Sequence, residues 1–128
     1  MNATSSYDMS QTIRIAPPHS LLFISGPEDD QPIDFSFMKT IRWNSTCVAV
    51  SCLPFIDGET EVTLGAAKEV DPGWAPAFDD IVIAQGSIVV STSERTTLLE
   101  VPITGDQTRV KVWINEDEEP DRVIVGIG

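Results

Sequence analysis

Apolar and polar residues alternate with a period of two along most of this chain, the signature of strands that bury one face. In residues 108–114, Val110, Val112 and Ile114 point one way, and Arg109, Lys111 and Trp113 the other. Around 59–64, Val62 and Leu64 alternate with Glu61 and Thr63; around 122–127, Val123, Val125 and Ile127 form one face. In 47–53, Val48, Val50 and Cys52 make an inner face. The same reading predicts strands over 12–16, 21–25, 47–53, 59–64, 80–84, 87–91, 96–101, 108–114 and 122–127.

Turn chemistry separates these runs. Pro17-Pro18, Gly26-Pro27, Asp57-Gly58, Asp71-Pro72-Gly73, Gln85-Gly86, Thr104-Gly105-Asp106 and Glu119-Pro120-Asp121 are all breakers. Eight or nine short strands punctuated in this way predict an all-β fold, a single antiparallel β-sandwich with at most one short helix. The best helical stretch is 34–42, where Phe35, Met38 and Ile41 recur at helical spacing, although a strand through Phe35 and Phe37 fits as well. The expected core is Ile13, Ile15, Leu22, Ile24, Val48, Val50, Val62, Leu64, Ile81, Ile83, Leu99, Val101, Val110, Val112, Val123 and Val125, with Trp43 as a plug. Residues 1–11 read as a flexible polar tail, and 12–128 as one sandwich domain.

Composition narrows the function classes. The chain has 128 residues, with 8 Lys and Arg against 20 Asp and Glu, for a net charge of −12. Such a charge argues against binding nucleic acid or an anionic membrane and favours either a basic protein partner or simply a solvated, aggregation-resistant surface. Residues 1–6 lack the basic and apolar regions of a signal peptide. Cys47 and Cys52 would point to opposite faces of one strand, so they read as free thiols of a cytoplasmic protein. The sequon Asn44-Ser45-Thr46 then carries no glycan.

Catalysis finds little support. The one histidine, His19, follows two prolines and reads as a loop residue, with no nucleophile motif beside it. One His and two Cys cannot build a structural zinc site. The adjacent pairs Asp29-Asp30 and Asp79-Asp80 read as loop or strand-entry charges rather than paired catalytic acids. The segment 115–121 holds Glu116, Asp117, Glu118, Glu119 and Asp121, but lacks the spacing of a calcium-binding EF-hand loop. No catalytic residue, metal ligand or cofactor is therefore assigned.

The acidic clusters are the strongest functional hint. They are Glu28-Asp29-Asp30, Asp57 with Glu59 and Glu61, Glu69 with Asp71, and residues 116–121. Loops of a sandwich gather at its ends, so such clusters can merge into a face that steers a basic partner. Trp74, in the turn-rich stretch 70–76, is either a lid on the core or an exposed anchor. Trp113 falls on the outer face with Arg109 and Lys111, either packed under those long side chains or part of a contact surface.

Residues 74–127 resemble the competence-protein-J-like family of small bacterial β-sandwich nuclease inhibitors. The resemblance runs from Trp74 through the apolar strand 80–84, the Gly86-led strand, Leu99-Glu100-Val101-Pro102 and a turn at 104–107. It continues through Arg109-Val110-Lys111-Val112, the acidic loop 115–121 and the last strand 122–127; residues 21–26 match the family's early apolar strand. The chain departs from the family in finishing on Val125-Gly126-Ile127-Gly128 rather than an aromatic-flanked strand. The resemblance implies a β-sandwich that binds a nuclease, and it assigns no individual functional residue.

Together these readings predict an acidic module that inhibits a basic partner, a nuclease or toxin, as a monomer or small homo-oligomer. The partner-binding residues are Glu116, Asp117, Glu118, Glu119, Asp121, Glu69, Asp71 and Trp74. The alternatives are an assembly module of a virion or secretion machine, and a sandwich that binds calcium or a small ligand.

Overall fold

The computed structural model describes residues 10–28 and 39–128. Ten strands form two five-stranded sheets packed face to face, an all-β sandwich. In chain order these are β1 (Gln11–Ile15), β2 (Leu21–Ser25), β3 (Ile41–Trp43), β4 (Cys47–Ser51), β5 (Thr60–Ala66), β6 (Phe78–Ile83), β7 (Ser87–Thr92), β8 (Thr97–Pro102), β9 (Gln107–Ile114) and β10 (Arg122–Ile127). One short helix, α1 (Ala67–Val70), follows β5. The first sheet has the order β1-β5-β10-β9-β6 and the second β3-β4-β2-β7-β8. All strand pairs are antiparallel except β5 with β10, which run parallel with Glu61 opposite Arg122 and Ala66 opposite Ile127.

The alternating apolar residues fill the space between the sheets. Leu22, Ile24, Val48, Val50, Val62, Leu64, Val110, Val112, Val123 and Val125 are fully buried there, with Leu99 and Val101 nearly so and Ile13 and Ile15 at the margin. Each such side chain contributes on the order of 1.5–3 kcal/mol when it leaves water, so these inner faces hold the sandwich together. Cys52 joins this core while Cys47 packs with Ala49 and Phe23 on the other face of β4, as period two requires. Neither forms a disulfide.

Four expectations are corrected. Ile81 and Ile83 are not core residues: they are 44% and 50% exposed, and Val82, with Phe78 and Ala84, fills the interior instead. The apolar run 81–84 has no alternation of its own, so its face is decided by register. Pairing Phe78 with Val112 and Val82 with Thr108 turns Phe78 and Val82 inward and leaves Ile81 and Ile83 on the outer face. Trp43 does not plug the core; it is 56% exposed, lying edge-on to Phe78 with ring centroids 5.3 Å apart. Residues 41–43 form β3 rather than the end of a helix, because Ile41 to Trp43 pair with Val50 to Val48; the rest of that expected element, 34–38, lies outside the described residues, as do residues 1–9 of the expected tail and Asp29-Asp30.

Trp113 is the fourth. It does point outward from β9, but α1 covers it rather than Arg109 and Lys111. Trp113 is only 1% exposed and forms a second small core with Ala67, Ile124 and Val70. Its indole N–H donates to the Trp74 carbonyl at 2.8 Å, which ties the stretch after α1 to the sheet. Gly126 makes this docking possible. A Cβ there would sit 2.8 Å from both the Ala67 Cα and Trp113 Cζ3, so only glycine lets the helix approach so closely.

Candidate functional site

The β9–β10 connection carries the acidic segment, and it does not hang free. At its base, the Asn115 side-chain amide donates to Asp121 Oδ1 at 2.7 Å, and the Arg122 backbone N–H donates to Asn115 Oδ1 at 3.1 Å. Its backbone is held from the neighbouring loops as well. The Leu53 N–H donates to the Pro120 carbonyl at 2.9 Å, the Glu61 N–H to the Asp121 carbonyl at 2.8 Å, and the Thr40 hydroxyl to the Asp117 carbonyl. Proline at 120 cannot donate to the sheet ladder, so the loop turns there, with Glu119 in the left-handed region at φ 50°.

These bonds join two loops into one end of the sandwich. The β4–β5 connection contributes Asp57 and Glu59, and Glu61 is the second residue of β5. The β9–β10 loop contributes Glu116, Asp117, Glu118, Glu119 and Asp121. An open groove between the loops is lined by Leu53 and Glu116 to Glu119. The two clusters that the sequence lists separately are thus neighbours, because β10 enters the sheet directly beside β5.

Charge is distributed unevenly over the molecule. On the outer face of the first sheet, acids are neutralised: Glu61 lies between Arg14 at 3.4 Å and Arg122 at 3.2 Å, and Asp79 is held by Arg109 at 2.6 Å. The Arg109 hydrogen bond holds the Asp79 carboxyl below the usual range. Among the described residues, none of Asp57, Glu59, Glu116, Asp117, Glu118 and Glu119 takes part in an ion pair. Their fields therefore add at the loop end rather than cancel.

The remaining expected site residues separate. Trp74 is half-exposed, with the Arg122 guanidinium 6.0 Å above its ring, so it stands beside the loop end. Glu69 lies in α1 and Asp71 immediately after it, over the outer face of the first sheet. Asp71 has a local structural task, accepting the Gly73 N–H at 2.8 Å. Neither is bonded to the 115–121 loop among the described residues.

One feature of this end escapes the period-two reading. Phe55 and Ile56 occupy a 3-10 turn in the β4–β5 connection and are 57% and 79% exposed. The available signal was two large apolar residues bracketed by Pro54 and Asp57-Gly58, outside any strand. No helix among the described residues is long and apolar enough to cross a membrane, and among them no group of His, Cys, Asp or Glu is arranged to hold a metal.

No protein-family profile matches the chain, and no curated protein is similar to it in sequence. Its fold is that of a solved protein: the crystal structure of ComJ from Bacillus subtilis, inhibitor of the DNA-degrading activity of NucA, superposes with a TM-score of 0.66 at 7% identity. The match covers 94% of this chain and 96% of that one. The resemblance read in residues 74–127 therefore holds at the level of the fold and extends over almost the whole chain.

Proposed function

We propose that this chain is a cytoplasmic protein-binding module that inhibits a basic, nuclease-type enzyme, with the end formed by the β4–β5 and β9–β10 loops as its contact surface. The observation that carries the reading is the convergence of two loops of unneutralised carboxylates on one end of a fold that a nuclease inhibitor also has. An enzyme that degrades DNA presents cations to the phosphate backbone. Carboxylates held at fixed positions compete for those cations and speed the encounter. The hydrogen bonds from Leu53, Glu61 and Thr40 fix the loop before binding, so little ordering entropy is lost on association. Two buried cysteines outside any disulfide fit a reducing compartment. On this reading the module blocks a partner and turns over no substrate.

The test begins with DNA-degrading activity in source-cell extract, measured with and without the purified chain. The inhibited nuclease is then recovered on the immobilised chain at low salt. Changing Glu116, Glu118 and Glu119 to Gln and Asp117 to Asn should lower the association rate at least about tenfold at low salt and flatten its salt dependence. Association indifferent to all four changes would reject this loop as the contact. Salt-insensitive self-association, with no nuclease inhibited, would favour the assembly module instead.

A further inference from the structure

Resting on that reading, we infer that Phe55 and Ile56 are the apolar anchor of the interface. They would enter a non-polar recess, rimmed by Lys and Arg, beside the phosphate-binding groove of the inhibited nuclease. Three observations lead there. First, Ile56 is 79% exposed and Phe55 57%, and neither belongs to a buried cluster of the sandwich. The buried clusters of the sandwich form without them, although adjacent large apolar residues in an exposed turn work against solubility.

Second, the turn that presents them is stiff. Pro54 precedes it, the Asp57 N–H donates to the Pro54 carbonyl at 2.8 Å, and Gly58 ends it at φ 139°, a conformation that favours glycine. The Leu53 N–H, one residue upstream of Pro54, is bonded to Pro120 in the acidic loop. The apolar pair and the carboxylates are therefore one rigid surface. Third, the surroundings have the anatomy of an interface, an apolar centre with a charged rim. Asp57 and Glu59 flank the pair in sequence, and the groove lined by Leu53 and Glu116 to Glu119 adjoins it. The rim carboxylates Asp57, Glu59 and Glu116 to Glu119 take part in no ion pair among the described residues, so the complement of that rim is a recess bordered by cations. Trp74 makes a weaker anchor, because Arg122 covers its ring and its carbonyl holds Trp113.

The two parts of such a surface act on different rate constants. Rim charges set how fast partners meet, and a buried anchor sets how long they stay. The experiment is surface plasmon resonance with the inhibited nuclease, at low and moderate salt. It compares the wild type, Phe55→Ser/Ile56→Ser, Ile56→Ser alone, the four-carboxylate variant and Trp43→Ser/Ile83→Ser, which removes two other exposed apolar side chains.

The double Phe55/Ile56 variant should dissociate at least about 30-fold faster, the size of a hot-spot truncation, with its association rate and salt slope unchanged. Ile56→Ser should show a smaller change in the same direction; its exposure keeps folding out of the comparison, and a melting curve checks this. Wild-type dissociation in the Phe55/Ile56 variants, while the carboxylate variant still associates slowly, would overturn the anchor and leave the inhibitor reading standing. Faster dissociation in the Trp43/Ile83 variant instead would overturn it too. Absence of any nuclease bound by the wild type would remove both.

Discussion

Gly126→Ala adds one methyl group at the place where α1 meets the first sheet. Two effects oppose each other. Alanine restricts the unfolded chain, which favours folding by about 0.4–1 kcal/mol wherever the native backbone suits it; φ at Gly126 is not positive, so that gain applies. Against it stands the contact geometry. The new Cβ would lie 2.8 Å from the Ala67 Cα, 2.8 Å from Trp113 Cζ3 and 3.0 Å from the Ala67 Cβ. None of these atoms is the free end of a flexible side chain. One is backbone and one belongs to an indole that is fully enclosed, so the strain is relieved only by lifting α1. Overpacking of this kind costs about 1–3 kcal/mol. Lifting α1 also weakens the bond from the Trp113 indole to the Trp74 carbonyl, about 1 kcal/mol more. The steric effect wins, for a net loss of about 2 kcal/mol, or ~6–10 °C in melting temperature for a chain of this size. Urea unfolding gives the first number. Acrylamide quenching gives the mechanism: Trp43 and Trp74 are already accessible, so any rise in the quenchable fraction reports Trp113. An unchanged or higher urea midpoint, with Trp113 still shielded, would refute the packing argument.

Asn44→Ala should lower stability by about 1–2 kcal/mol in urea, since Asn44 Oδ1 accepts from the Thr46 N–H at 2.9 Å, the Thr46 hydroxyl at 3.1 Å and the Cys47 N–H at 2.9 Å; an unchanged urea midpoint would show that the β3–β4 turn holds without it. Burial pushes the Cys52 thiol up to about 12, so at pH 8 iodoacetamide should leave it unmodified in the native protein and label it once urea unfolds the chain. Equal labelling in both states, read by mass spectrometry, would contradict its enclosure. Asp79, held below the ordinary carboxylate range by Arg109, contributes stability that is present above its unfolded pKa and lost as pH falls through its folded value. Asp79→Asn should therefore flatten the stability curve in the acid region below about pH 4; identical acid limbs for the two proteins would show that the pair is inert.

Most of the sandwich was legible because half-buried strands declare themselves residue by residue. Val110 and Val112 against Arg109 and Lys111, or Val62 and Leu64 against Glu61 and Thr63, leave one choice of face. Where that contrast fails, sequence is silent. The stretch 81–84 is apolar throughout, so only its register with β9 selects Val82 over Ile81 and Ile83. Trp113 stands on the wet face in any alternation; what dries it is a four-residue helix too short to show a period, admitted by a glycine at 126. The acidic segments were visible as composition, but their meeting follows from β10 lying beside β5, a long-range pairing. Asn44 shows the reverse case: the sequon is a turn device, recognisable only once its side chain is seen to accept three hydrogen bonds.

The placement of β10 governs the order in which this molecule can be assembled. It is the middle strand of its sheet, parallel to β5 and antiparallel to β9, and its partner in β5 lies about half the chain away. A growing polypeptide could already zip β2 to β4 and β7 to β8, yet β1 and β5 would have no route to β9 and β6 until residues 122–127 were available to pair. Until then Val62, Leu64, Val110 and Val112 stay in water or with a chaperone. Topologies dominated by such distant pairings fold in milliseconds to seconds rather than microseconds. A chain that lacks residues 122–127 would thus leave the first sheet as two separate pairs, β1 with β5 and β9 with β6, with open, sticky flanks, a substrate for proteases and aggregation rather than a slightly weakened fold.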